Sequence, residues 1–283
     1  MGIKNIINET SFDKQQTAQY KLSILLGMDS LFYAISSGNN ELLVVKDIPM
    51  SAFLDTATAV TEFNTICQQD QLLQSTYRQV KIGLFSPIST LVPQRLFDPT
   101  KISSYLKTVT PIEEHQHISR DELPTMDLSN VYAVDNLWEE QLSQRFDKCK
   151  VHHQNTLLLR SFQRLQRGKS GYALYAHVSK TFVQLYLYEG TSLLLSNIYN
   201  YKSPEDFVYY VLLIYDQFSL SPTELPVQLS GQLKKESTLY SLLYRYVKAV
   251  QFVRVDQLVE IGPNFRRATH PHQYFDLASL VVY

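Results

Sequence analysis

The chain holds 283 residues, 45% of them apolar, enough to bury one large core or two of ordinary size. Its 26 basic residues are matched by 27 acidic ones, so net charge gives no reason for bulk binding to nucleic acid or to an anionic membrane. Cys67 and Cys149 are the only cysteines and have no CxxC spacing, which argues against a disulfide framework and fits free thiols in a reducing compartment.

The opening "MGIKNIINETSF" has no apolar core of leader-peptide length, and Ile6 stands where a myristoylation motif needs Ser or Thr. No apolar run approaches the length of a membrane span, so a cytoplasmic protein is expected. The first strong pattern runs from Tyr20 to Ile48. "GMDS" and "SGNN" divide it into three runs of β-formers, which predicts a three-stranded antiparallel meander. A helix is predicted next, with Phe53, Leu54, Ala57, Val60 and Phe63 near helical spacing and Ser51 as its cap. "QVKIGLFS", Gln79 to Ser86, reads as a buried strand ended by Pro87.

A helix capped near Asp98, with Pro99 in its first turn, is predicted beyond it. The stretch from Thr110 to Asn130 is polar and proline-punctuated, and reads as a long loop or insertion. Strand, helix, strand and helix follow, up to turns near Gly168 and Gly171. From Gly171 to Tyr199 the chain again gives three strand-like runs, broken at "VSKT" and "YEGTS". Laid over the first meander, they align turn for turn, with Phe32 opposite Phe182. A helix with Ser203 as N-cap, Pro204, Glu205 and Asp206 in its first turn, and an apolar face from Phe207 to Phe218 comes next. The strand "PVQLSG", a helix from Ser237 and the strand "AVQFV" extend the parallel into a duplicated βββ-α-β-α order.

That order resembles the actin, Hsp70 and sugar-kinase superfamily. "LLSNIYNYKSPEDFVYYVLLIYDQFSLSPTELPVQLSGQL" is similar to the second half of a family of uncharacterised bacterial proteins with a divergent actin-like ATPase fold. Pilus-assembly and secretion-platform proteins of that fold are more distant relatives. The resemblance implies an α/β fold class: a two-lobed actin-like ATPase fold, the ribonuclease H-like duplicated βββαβα arrangement, in degenerate form. The lobes are expected at 1–165, with the polar insertion 110–130, and at 166–283.

In working members of that superfamily, Gly-rich acidic turns bring backbone N–H groups to phosphate and organise a metal. Here the first such turn is "GMDS". Asp29 and Ser30 would face the phosphate, but Gly27 precedes the acid and the bulky Leu31 and Phe32 follow. The second is "HVSKT", which has no Asp, Glu or Gly. Ser179, Lys180 and Thr181 would there form a residual anion site, or Lys180 is a solvated hairpin residue. The adenosine motif is approximated by "LSG", with Ser230 and Gly231. Phosphoryl transfer rests on metal charge and positioning. ATP binding and hydrolysis are therefore not expected, and neither is a cofactor.

Other candidates are weaker in pattern. His115 and His117 lie beside Glu113 and Glu114 without a complete metal motif, and read as solvated loop residues. His152 and His153 are predicted on opposite faces of a strand. His270 and His272 read as capping or surface residues. Arg160, Arg164, Arg167 and Lys169 sit near a helix end, where they offset its dipole or contact phosphate or RNA. The apolar tail "QYFDLASLVVY" either docks on its own second half or remains exposed for another protein.

The function expected is a non-catalytic protein-binding or scaffolding module with a protein partner. The rival is a nucleotide-binding protein or weak ATPase using Asp29, Ser30 and the "LSG" turn. A third reading, a nucleic-acid accessory protein, rests on the arginine cluster alone.

Overall fold

A computed structural model describes residues 5–50, 56–108, 110–146, 149–268 and 270–283. In chain order these form β1 (Asn5–Asn8), β2 (Lys21–Leu26), β3 (Ser30–Ser36), β4 (Glu41–Pro49), α1 (Thr56–Gln69), β5 (Gln79–Leu84), β6 (Ser89–Pro93), α2 (Ile102–Lys107), β7 (Gln116–Leu123), β8 (Leu128–Asp135), α3 (Asn136–Arg145), β9 (Lys150–His153) and α4 (Gln154–Gln166). The second half adds β10 (Tyr172–Val178), β11 (Phe182–Glu189), β12 (Ser192–Asn200), α5 (Pro204–Gln217), β13 (Val227–Gly231), α6 (Thr238–Leu243), β14 (Val250–Phe252), β15 (Glu260–Ile261), α7 (Pro263–Ala268) and α8 (Phe275–Val282). Short 3-10 turns connect several of them. The chain divides into two compact units: Met1–Leu158 with Val259–Ala268 and Ser279–Tyr283, and Leu159–Leu258 with Thr269–Ala278.

In the first unit the sheet order is β1-β4-β3-β2-β5-β9, with β15 pairing β4. β2, β3 and β4 are antiparallel, whereas β5 runs parallel to β2 and β9 parallel to β5. Every residue of β3 is buried, as expected of a strand covered on both faces. α1 buries Ala59, Val60, Phe63, Ile66 and Cys67, and Phe63 meets Trp138 of α3 edge-on at 5.6 Å. Ala57, expected on the buried face, is exposed, because the stripe that faces the sheet begins at Ala59. Ser51, Phe53 and Leu54 lie outside the described residues.

The polar stretch Thr110 to Asn130, expected as a long loop or insertion, contains β7, which pairs antiparallel with β8 along its whole length, so it is not a loop. Its outward residues, His117 and Glu122 among them, hide the apolar alternation, and only Ile118 and Leu123 point to a strand in the sequence. With β6 it completes a three-stranded sheet ordered β6-β8-β7.

The second unit repeats the arrangement, in the order β12-β11-β10-β13-β14: an antiparallel meander followed by two parallel strands. The duplication extends to single hydrogen bonds. Gly27 N donates to Ser30 O at 2.9 Å, and Ser179 N donates to Phe182 O at 2.9 Å. The pairs that close the two turns are Leu26 with Leu31 and Val178 with Val183. This register corrects the sequence alignment: Ser30, not Phe32, corresponds to Phe182. Similar apolar composition along both strands conceals a slip of two residues, and only the turn bonds resolve it.

α5 is capped as its sequence predicts. Ser203 Oγ accepts from Asp206 N at 3.1 Å, and the Asp206 carboxylate accepts from Ser203 N at 3.0 Å. The tail forms α8, with Phe275, Leu277, Leu280 and Val281 buried, so the reading of an exposed apolar segment is not met. Phe275 stacks on Phe162 at 4.9 Å in the second unit. In the first unit, Lys81 Nζ donates to Val281 O at 2.8 Å.

Candidate functional site

The candidate residues fall at equivalent positions of the two units. In the first unit Met28 and Asp29 form the centre of a tight two-residue hairpin turn. The outer end of this turn is tied to the chain itself, since Met50 N donates to Asp29 O at 2.9 Å. Ser30 is buried, and its hydroxyl lies 3.2 Å from where a β-carbon on Gly27 would stand. In the second unit Lys180 and Thr181 occupy the turn centre and are exposed, with Ser179 half-buried beside them. Tyr201 N donates to Thr181 O at 3.0 Å, and the Tyr201 hydroxyl donates to Ser179 O at 2.5 Å.

Gly231, at the end of β13, adopts φ +85°, a conformation that L side chains rarely take. A β-carbon there would lie 2.3 Å from Val178 O. Gln232 N donates to that same oxygen at 2.6 Å. The glycine of the "LSG" motif is thus required by the approach of its own neighbouring strand.

Sequence reasoning missed the group beside it. The buried His177 places Nδ1 3.0 Å from Ser230 Oγ and Nε2 3.4 Å from a carboxylate oxygen of Asp276 in α8. Serine, histidine and aspartate are therefore in line, but the roles of the ring nitrogens are reversed from a hydrolytic triad, where serine meets Nε2. Ser230 is also fully buried, out of reach of a substrate. The arrangement is a buried polar bridge. His177 was visible in the sequence two residues before the turn, but Asp276 lies so far along the chain that no spacing argument links them.

A second buried histidine belongs to the first unit. His153 Nδ1 accepts from Asn155 N at 3.1 Å, which leaves the proton on Nε2, donated to Ser86 O at 2.9 Å. The 3.2 Å approach of Ser86 N to Nε2 is then a contact and not a hydrogen bond. Burial pulls the His153 imidazole down to about 4. Its neighbour His152 points elsewhere, to Asp121 Oδ1 at 3.0 Å, as the strand alternation predicts. Asp121 uses its other oxygen to accept from His153 N at 2.8 Å.

The remaining candidates are dispersed. His115 lies 3.3 Å from Glu113 and 3.7 Å from Asp135, and His117 lies 3.6 Å from Glu139. Among the described residues no group of three or more His, Cys, Asp or Glu is arranged to hold a metal ion. His272, expected as a capping or surface residue, is buried, stacked on Phe252 at 3.9 Å with Nε2 donating to Leu233 O at 2.7 Å. The reason is tertiary: the segment before α8 packs on the end of β13. Arg160, Arg164, Arg167 and Lys169 are all exposed, Arg160 and Arg164 on the polar stripe of α4 and the other two in the turn beyond it. Burial pushes the Cys67 thiol up to about 11, against thiolate chemistry. The first unit also carries an open pocket of about 600 Å³, walled by Phe85, Ile88, Leu137 and Trp138 with Glu113 and Asp135 among its lining residues. Among the described residues no helix is long and apolar enough to cross a membrane.

Comparison with known proteins gives the fold a context. A solved structure from Bacteroides thetaiotaomicron, of a protein with actin-like ATPase fold and unknown function, has a TM-score of 0.79 at 20% identity, covering 96% of this chain and 99% of that one. The PilM-PilN type IV pilus biogenesis complex contains a chain with TM-score 0.61 at 15% identity, covering 92% and 97%. The cytoplasmic domain of EpsL, an inner membrane component of the type II secretion system of Vibrio cholerae, has a TM-score of 0.41 at 14% identity, covering 92% and 94%. No curated protein matches the chain. The fold is the actin-like ATPase fold. A family model described as "Protein of unknown function (DUF3822)" matches residues 9–250, and the chain belongs to that family.

Proposed function

We propose that this protein is a non-catalytic protein-binding or scaffolding module of the cytoplasm, built on an actin-like fold that no longer uses nucleotide. The observation that carries the reading is the state of the two hairpin turns. Each is closed after two residues, and its outer carbonyl is taken by the chain's own backbone, at Met50 in one unit and Tyr201 in the other. A phosphate cradle needs a run of free N–H groups on a wider, glycine-bearing loop, with a carboxylate to organise the metal. The second turn has neither glycine nor acid. The hydroxyl of Ser230 is engaged by His177, and Gly231 is filled by Val178. A protein partner is in keeping with the likeness to a chain of the PilM-PilN complex.

The test is calorimetric titration of the full chain with ATP and magnesium. No saturable heat is expected. Saturable, magnesium-dependent binding lost on Asp29→Ala or Lys180→Ala would favour the rival reading, a nucleotide-binding protein using Asp29, Ser30, Ser179, Lys180, Thr181, Ser230 and Gly231.

A further inference from the structure

A sheet edge presents unpaired N–H and C=O groups, and proteins blunt such edges with shortness, charge or proline. Most edges of this chain follow that rule. β1 and β9 have four residues each, β14 three and β15 two. β6 ends on Pro93, and β7 carries Arg120, Asp121 and Glu122 in succession. β12 does not. It runs for nine residues, "SLLLSNIYN", with no charge and no proline, and pairs only with β11 among the described residues.

The direction of its free groups follows from one hydrogen bond. Tyr201 N donates to Thr181 O, and the register then gives Tyr199, Asn197 and Leu195 the bonds to β11. Ser196, Ile198 and Asn200 therefore turn their N–H and C=O outward. The irregularity opposite Leu187 and Tyr188 is confined to the start of the strand, so Leu195 to Asn200 is a regular ladder. Ile198 is 39% exposed and its strand neighbour Leu194 40%.

We propose that β12 is a self-pairing edge, through which two copies of this chain join antiparallel about a two-fold axis to make one continuous sheet. The sequence of the strand selects the occupant. It offers no charge by which to choose a foreign strand, whereas it complements itself. Pairing centred on Asn197 sets Ser196 opposite Ile198 of the second copy, so that outward groups meet outward groups. It also sets Leu195 opposite Tyr199, twice, on the face where both already pack against the core. Both copies of β12 are covered at once, so this edge has no place for a third chain.

Sedimentation equilibrium of the full chain, with amide hydrogen exchange across β12, tests the proposal. A reversible dimer is expected, with the amides of Ser196 and Ile198 becoming protected as concentration rises. Ile198→Lys places a charge at the edge, and Ser196→Pro removes an N–H that β11 does not use; each should weaken the dimer about tenfold or more. Unchanged circular dichroism and urea midpoint identify variants that still fold. A wild-type chain that stays monomeric with those amides exchanging freely, or a dimer that survives both substitutions, overturns the proposal. Should both variants fail to fold, protection of the wild-type amides decides alone.

Discussion

Gly231 and Val178 approach so closely that a β-carbon on the glycine would stand 2.3 Å from the carbonyl oxygen of the valine. In an active member of this fold a glycine here would suggest room for adenosine. In this chain the space beside its α-carbon is filled by the backbone of β10. Replacing Gly231 by Ala forces a side chain into a left-handed conformation and into backbone. Urea unfolding should show a loss of about 2 kcal/mol or more. Gly27→Ala, where the nearest atom to a β-carbon would be the Ser30 hydroxyl at 3.2 Å and no left-handed backbone is needed, should cost about 1 kcal/mol or less. Equal losses at the two sites would contradict this account.

His153 makes stability depend on pH. Its imidazole is held near 4 when folded and returns to about 6.5 when unfolded. Between those values the unfolded chain binds a proton that the native chain refuses. Stability is therefore complete above about 6.5 and falls as pH drops towards 4, by an amount on the order of 3 kcal/mol. Urea midpoints measured across this range should slope accordingly, and His153→Gln should flatten the slope.

The capping box of α5 satisfies donors that the helix itself cannot reach. Ser203→Ala should lower stability by about 1 kcal/mol, read from thermal or urea unfolding. Ser203→Asp should recover most of it, because a carboxylate accepts the same bond and favours the helix dipole.

Deleting Phe275 to Tyr283 removes five buried apolar side chains, Phe275, Leu277, Ala278, Leu280 and Val281. The four larger ones each contribute roughly 1.5–3 kcal/mol of burial, so the loss is about as large as the whole stability margin of an ordinary domain. The truncated chain should be unfolded or insoluble by circular dichroism and light scattering. A folded, soluble product would restore the view of this tail as a separable binding segment.

The buried bridge at His177 predicts a structural and not a chemical role. Ser230→Ala leaves the Nδ1 of His177 without its partner and should cost about 1–3 kcal/mol. Asp276→Asn should cost a similar amount, and neither should change any hydrolysis of activated esters above the buffer rate.

Both meanders, the parallel strands that follow them and the box at Ser203 are legible in sequence because each is a local matter: periodicity, turn residues and a cap lie within a few positions of one another. β7 is not legible, since an edge strand facing solvent through His117 and Glu122 has too little apolar contrast to be separated from a loop. The slip that put Phe32 opposite Phe182 has the same origin, because composition repeats where only hydrogen bonds fix register.

The amino-acid order by itself determined the duplicated element pattern, the capped helix and a second turn without glycine or acid. Tertiary structure alone decided what stands in their place. Glu9 caps the start of α7 by accepting from Phe265 N at 2.7 Å across a separation of 256 residues. Asp276 reaches His177 in the same way, by folding. Such partners are chosen by chain reversals that bury apolar surface, and no local window of residues contains the information that brings them together.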